Sequence, residues 1–303
     1  MENFLIIITF LLIGKALRYI PDFSDETGNV LNLFVIYISL PALVLQQIPG
    51  LAFSGKLLVP MLMPWGILIF SCAVILIFSK IFKWSRSATG CLLLLIPLGN
   101  TSFLGIPMVK AFFGENAIPY ALIYDQLGSF LALAIYGSFI LAMYGTGKSR
   151  PTIKGVFTRV ITFPPFIALV LALALRSVTY PPAVMGLLKI LSSTLVPLVM
   201  VAVGFQLTLR LNKEVTLQLG FGLLVKLIAA PAAALVFCRI LGLEGEAVRV
   251  SVFESGMPPM VSAGALAIIA NLSPALASAL VGLGIIISFA TLPVLYQILS
   301  LIN

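Results

Sequence analysis

The stretch from Cys91 to Pro107, CLLLLIPLGNTSFLGIP, decides how this sequence is read. Its first half is an unbroken apolar run, and its second half gathers Gly, Pro and small polar residues. Ala88 to Leu98 is eleven residues, about 16 Å of helix at about 1.5 Å per residue. That is half of a hydrocarbon core about 30 Å thick. Gly99 and Gly105 permit unwinding. Pro107 removes an amide donor and clashes one turn back. The segment therefore reads as a membrane span broken at mid-depth. Such backbone is tolerated only where protein buries it or it lines a wet cavity.

A second stretch repeats the pattern. FESGMPP, from Phe253 to Pro259, interrupts an otherwise apolar run. Ten residues, Glu246 to Ser255, precede the break, and twelve, Met260 to Asn271, follow it. Two consecutive prolines do not fit an unbroken helix interior. Paired interrupted segments in corresponding positions are the best sequence pointer to a transporter's binding site.

The rest of the chain agrees with a membrane setting. Of 303 residues, 61% are hydrophobic and only 9% charged, whereas soluble domains carry roughly 25% charged residues. Histidine is absent, which removes Ser-His-Asp triads, His-ligated zinc and imidazole proton shuttles. Cys72, Cys91 and Cys238 sit in apolar runs without CxxC spacing and read as small buried hydrophobes. The net charge of +8 sits at the ends of apolar runs, so it reads as topology, with no nucleic-acid partner expected. No GxxxxGK[ST] loop for ATP is present.

Ten spans are predicted: 3–20, 29–48, 57–80, 88–113, 116–144, 156–178, 183–208, 215–240, 246–271 and 274–300. The fold class expected is all-α integral membrane. With the N-terminus outside, the inner side collects eleven Lys and Arg, including Lys15, Arg18, Lys148, Arg150, Lys154, Arg159, Arg210 and Lys213. The outer side collects six, Lys56, Lys110, Arg176, Lys189, Arg239 and Arg249. That bias places both termini outside a cell membrane, inner or plasma. Lys110 reads as an outer anchor, snorkelling from the end of span 4.

Five spans lie on each side of a basic cytoplasmic connection at 146–155, giving repeats over 1–145 and 156–303. An odd number per half inverts the second half in the membrane, a layout many secondary transporters use. Echoes support this. Ser39-Leu40-Pro41 and Leu195-Val196-Pro197 lie 156 positions apart, and the openings of spans 5 and 10, at Pro119 and Pro274, keep a similar offset.

At Gly99–Pro107 the chain resembles the fourth-span signature of the auxin efflux carrier family, which includes the plant PIN exporters and many bacterial transporters. The resemblance covers essentially all ten spans. It implies a 5+5 inverted repeat in which spans 4 and 9 cross at their breaks. Spans 1, 2, 6 and 7 would form a scaffold, and spans 3–5 and 8–10 a moving transport unit. It also implies a homodimer and organic anion substrates, auxin in plants and carboxylates in bacteria. The large cytoplasmic loop of the long plant exporters is missing here. Glu254-Ser255-Gly256-Met257 is similar to the ninth-span Glu-x-Gly-Met stretch of bile acid:sodium symporters, where the glutamate helps hold sodium. The Gln-Asn that follows there is Pro258-Pro259 here.

Candidate site residues follow. Asn100, Thr101, Ser102, Gly105 and Pro107 of the first break, with Gly256, Pro258 and Pro259 of the second, are the expected substrate-binding set. Half-helix N-termini suit an anion and C-termini a cation. Three ionisable residues lie deep within spans, Asp125, Lys226 and Glu254, each costing about 2.5–3.5 kcal/mol or more if unpaired. Lys226 is expected to pair with Asp125 or Glu254. Glu254, beside the break, is the expected coupling carboxylate, with Asp125 and Lys226 as the internal pair. No cofactor is expected beyond a coupling ion, Na+ or H+, with any sodium near Glu254 and Asn100. A transporter of a small organic anion, exporting by alternating access, leads. A sodium-coupled symporter is the alternative, a channel the next, and an enzyme lacks a concentrated catalytic set.

Overall fold

The computed structural model describes residues 2–49, 55–145, 152–207 and 215–301. Lys148, Arg150, Arg210 and Lys213, which entered the reading of orientation, lie outside the described residues. So do the side chains of Lys56 and Arg159. Among the described residues the structure is helical, without strands.

In chain order the helices are α1 (Glu2–Leu17), α2 (Thr27–Gln47), α3 (Leu58–Ile81), α4 (Arg86–Leu95), α5 (Thr101–Phe113), α6 (Glu115–Tyr144), α7 (Ile153–Ile161), α8 (Pro164–Ala174), α9 (Pro182–Gln206), α10 (Thr216–Ile240), α11 (Glu246–Ser255), α12 (Val261–Ile269) and α13 (Pro274–Leu301). Six of them, α2, α3, α6, α9, α10 and α13, are long and apolar enough to cross a membrane. Helices α1, α4, α5 and α8 are apolar but shorter. The fourth and ninth spans are each two helices, α4 with α5 and α11 with α12.

One boundary differs from the sequence expectation. The sixth span, read as continuous over 156–178, is split between α7 and α8. Phe163 is held extended (φ −73°, ψ 117°) because the residue before a proline is excluded from the helical region. Pro164 and Pro165 then open α8, where a missing amide costs nothing.

The described residues pack as two compact units. The first draws on Met1–Ser54, Ser102–Leu122 and Phe157–Leu207; the second draws on Gly55–Thr101, Ile123–Val156 and Thr208–Asn303. The division cuts span 4 at its break, which the sequence reading leaves whole.

In the first unit α1 lies against the second half of α9. The approach is backbone to backbone. A Cβ on Gly14 would sit 2.1 Å from the Val201 carbonyl oxygen, and one on Gly204 would sit 2.0 Å from that of Leu11. Small residues at such crossings let membrane helices gain dispersion contact where no hydrophobic drive exists. Lys15 and Arg18 donate to the carbonyls of Leu207 (2.9 Å) and Phe205 (3.1 Å) at the end of α9, satisfying orphan acceptors there. The two echo segments meet in this unit. The hydroxyls of Ser39 and Thr194, 155 positions apart, are 2.7 Å from each other.

In the second unit α4 is central. Cys91 through Ile96 are essentially fully buried, as expected of a helix apolar on every side. Ser85 caps it, accepting from the Ala88 amide at 3.2 Å. Helix α3 docks on α6, where the Trp65 indole donates to the Leu127 carbonyl (3.1 Å). A Cβ on Gly128 would fall 2.2 Å from Pro64.

Candidate functional site

The two breaks meet inside the second unit. After α4 the chain leaves the helix at Pro97, and after α11 it leaves at Gly256. The freed segments run antiparallel, with Gly99 opposite Pro259. The Asn100 amide donates to the Pro258 carbonyl at 2.8 Å, and the Met260 amide donates to the Leu98 carbonyl at 3.0 Å. Unwinding two helices in an apolar interior leaves orphan backbone groups, each expensive if unpaired. Each segment here satisfies part of the other's deficit. Proline suits this geometry, since Pro258 and Pro259 carry no amide to leave unpaired. Gly284 gives the pair its seat, because a Cβ there would be 2.7 Å from the Pro259 ring.

Side chains around this crossing are polar and buried. Asn100, Thr101, Asp125, Gln126, Lys226, Glu254 and Ser255 are each at most 2% exposed. Three π-helical turns deliver four of them: Thr101–Gly105 carries Thr101, Tyr124–Phe130 carries Asp125 and Gln126, and Val225–Ala229 carries Lys226. A π-turn inserts a residue into the helical register, and such turns concentrate at functional sites.

Their partners divide sharply. Asp125 accepts from the Thr101 hydroxyl (2.6 Å) and from the Gln126 side-chain amide (2.6 Å). The Lys226 ammonium donates to the Ser255 carbonyl at 3.4 Å, at the C-terminal end of α11 where the helix dipole is negative. Gly99 is what lets it approach, since a Cβ there would stand 3.2 Å from the Lys226 Nζ. Lys226 thus meets the crossing through a backbone carbonyl. Glu254 is fully buried, and neither of its carboxylate oxygens has a hydrogen-bond partner. It lies within electrostatic reach of both Asp125 and Lys226. The side-chain amide nitrogen of Asn100 and the side-chain amide oxygen of Gln126 are also without partners.

Of the expected site residues, the structure therefore gathers Asn100, Thr101, Gly256, Pro258, Pro259, Asp125, Lys226 and Glu254 in one unit. Ser102, Gly105 and Pro107 belong to the other. Pro107 stands directly after the π-turn, in the first turn of the α-helical part of α5. Gln126 and Ser255 were not singled out from the sequence. The Asp125-Gln126 pair inside an apolar span was the available signal for the first. Nothing in the sequence marks the Ser255 carbonyl.

A carboxyl buried without a donor is costly as an anion unless a positive charge meets it or a proton neutralises it. The unpartnered side-chain amide nitrogen of Asn100 is a hydrogen-bond donor at the same crossing. Among the described residues no cluster of three or more His, Cys, Asp or Glu has metal-binding geometry.

Residues 1–296 match a family model described as membrane transport protein. Two similar chains are both named uncharacterized transporters. One, from Methanocaldococcus jannaschii, is 28% identical over 269 residues, 85% of each chain. The other, from Methanothermobacter thermautotrophicus, is 27% identical over 301 residues, 96% of each chain.

Proposed function

The chain belongs to this auxin efflux carrier-like family of membrane transport proteins, and we propose that it is a secondary transporter that exports a small organic anion such as a carboxylate. It is a multi-pass membrane protein. The observation that carries the reading is the crossing of two broken helices beside a buried, unpartnered carboxylate and amide. Broken backbone at depth is tolerated around a binding site or wet cavity. In this reading Asn100 and Thr101, with backbone at Gly256, Pro258 and Pro259, hold the anion. Ser102, Gly105 and Pro107 continue its path. Glu254, with Asp125 and Lys226 in its field, carries the coupling charge, so no catalytic residue is assigned.

The ten spans form a 5+5 inverted repeat, and the shared offset of the Ser39–Pro41 and Leu195–Pro197 echoes supports that arrangement. Spans 3–5 and 8–10 move against spans 1, 2, 6 and 7, giving alternating access. The protein works as a homodimer in the cell membrane with both termini outside. The alternative, sodium-coupled symport, draws on the Glu254–Met257 stretch. In it, sodium would sit between Glu254 and Asn100.

Reconstituted protein is expected to show saturable carboxylate flux with counterflow; conductance that never saturates and shows no counterflow favours a channel instead. Asn100→Ala removes the unpartnered donor. It is expected to weaken carboxylate affinity by about tenfold, the worth of one hydrogen bond of about 1.5 kcal/mol to a charged group. Unchanged affinity would place the anion elsewhere.

A further inference from the structure

The first unit contains a polar groove that the crossing does not use. Its volume is about 290 Å³, the small end of the range for ligand pockets, roughly 300–1,000 Å³. Its polar lining is Gln46, Gln47, Lys110, Glu115, Lys189, Ser192 and Ser193. Leu43, Ile106, Ile118 and Leu195 supply an apolar wall. All of these belong to one unit.

The charges in the groove do not cancel. Lys110, expected as an outer anchor, pairs with Glu115 at 2.9 Å. Lys189 also lines the groove, is exposed and, among the described residues, has no carboxylate partner. One positive charge is therefore left over. The Ser192 hydroxyl donates to the Gln46 amide oxygen at 2.5 Å, which leaves the Gln46 amide nitrogen as a donor. An ammonium, amide and hydroxyl donors, and an apolar wall together match a carboxylate that carries a hydrocarbon body.

We infer that this groove is a second subsite for the transported carboxylate, centred on Lys189. It rests on the transport reading and adds a further place on the protein that holds the anion. A leftover charge in a concave, partly apolar site concentrates counter-ions by about tenfold or more.

The test uses full-length protein in liposomes, with Ser193→Cys as the reporter. The impermeant anionic reagent 2-sulfonatoethyl methanethiosulfonate is compared with its cationic trimethylammonium counterpart. Parent protein sets the background, since Cys91 and Cys238 are buried and Cys72 is half-buried. Relative to free cysteine, the anionic reagent is expected to react about tenfold faster than the cationic one. Lys189→Glu abolishes the preference, Lys189→Arg keeps it, and millimolar benzoate slows anionic labelling only where the positive charge remains. No preference, or labelling indifferent to benzoate, overturns the proposal. Benzoate counterflow measured on the same liposomes separates the two readings. Protection without counterflow retains the groove and removes transport, whereas counterflow without protection removes the groove.

Discussion

Glu254→Gln is expected to abolish concentrative carboxylate transport and to flatten its dependence on pH and sodium, while the protein still folds. The carboxylate is fully buried, and both its oxygens lack a hydrogen-bond partner. The amide is isosteric and neutral, so packing at the crossing survives. What disappears is the negative charge that takes up and releases a proton or sodium as the site changes exposure. The measurement is uptake into proteoliposomes under imposed proton and sodium gradients, beside counterflow at equal concentrations. Counterflow is expected to persist, because exchange of bound anion needs no net movement of the coupling charge. Concentrative uptake by Glu254→Gln with the wild-type pH and sodium profile would assign coupling elsewhere, Asp125 first. Asp125 is the less suited of the two, since Thr101 and Gln126 already satisfy its oxygens.

The second large effect concerns the fold. Gly204→Ala and Gly14→Ala each place a methyl group about 2 Å from a backbone carbonyl oxygen of the facing helix. A side chain can turn away from an intruding methyl, but a carbonyl in a helix cannot. The helices α1 and α9 must separate along the contact. Overpacking of this kind costs about 1–3 kcal/mol at one site, and loss of the dispersion contact along the crossing adds to it. Gly186→Ala, on the same α9, is the matched control. A Cβ there meets nothing within 4 Å, and alanine gains about 1 kcal/mol of helix propensity over glycine. Thermal denaturation in detergent, followed by size-exclusion chromatography, is expected to show Gly204→Ala and Gly14→Ala melting well below the parent. Gly186→Ala melts at or above it. Equal melting of Gly204→Ala and Gly186→Ala would mean that the α1–α9 contact does not hold the unit together.

The breaks in spans 4 and 9 were legible because proline and glycine act locally. A missing amide or a missing Cβ changes the backbone wherever the residue stands. The π-turn at Thr101–Gly105, which ends just before Pro107, was not legible. The split at Phe163 was legible in principle from Pro164-Pro165, yet the high apolarity of 156–178 concealed it. The buried charges were visible as exceptions in apolar runs. Their partners were not, because Lys226 is 29 residues from the carbonyl it meets and Thr101 is 24 from Asp125. Gln126 is a neutral amide and did not stand out.

Composition and pattern alone determined that this chain lives in lipid, that two of its spans are broken, and that Asp125, Lys226 and Glu254 are the charges needing explanation. These follow from properties each residue carries with it: transfer free energy, a missing amide, a missing Cβ, a formal charge. Only the tertiary structure decided that the two breaks close on one another through the Asn100–Pro258 and Met260–Leu98 bonds. It also decided that Asp125 is satisfied while Glu254 is not, and that Lys110 and Lys189 line a groove of their own. Those outcomes depend on distances between residues far apart in the chain. A hydrogen bond or an ion pair is made or lost within an ångström, which is set by how the helices pack.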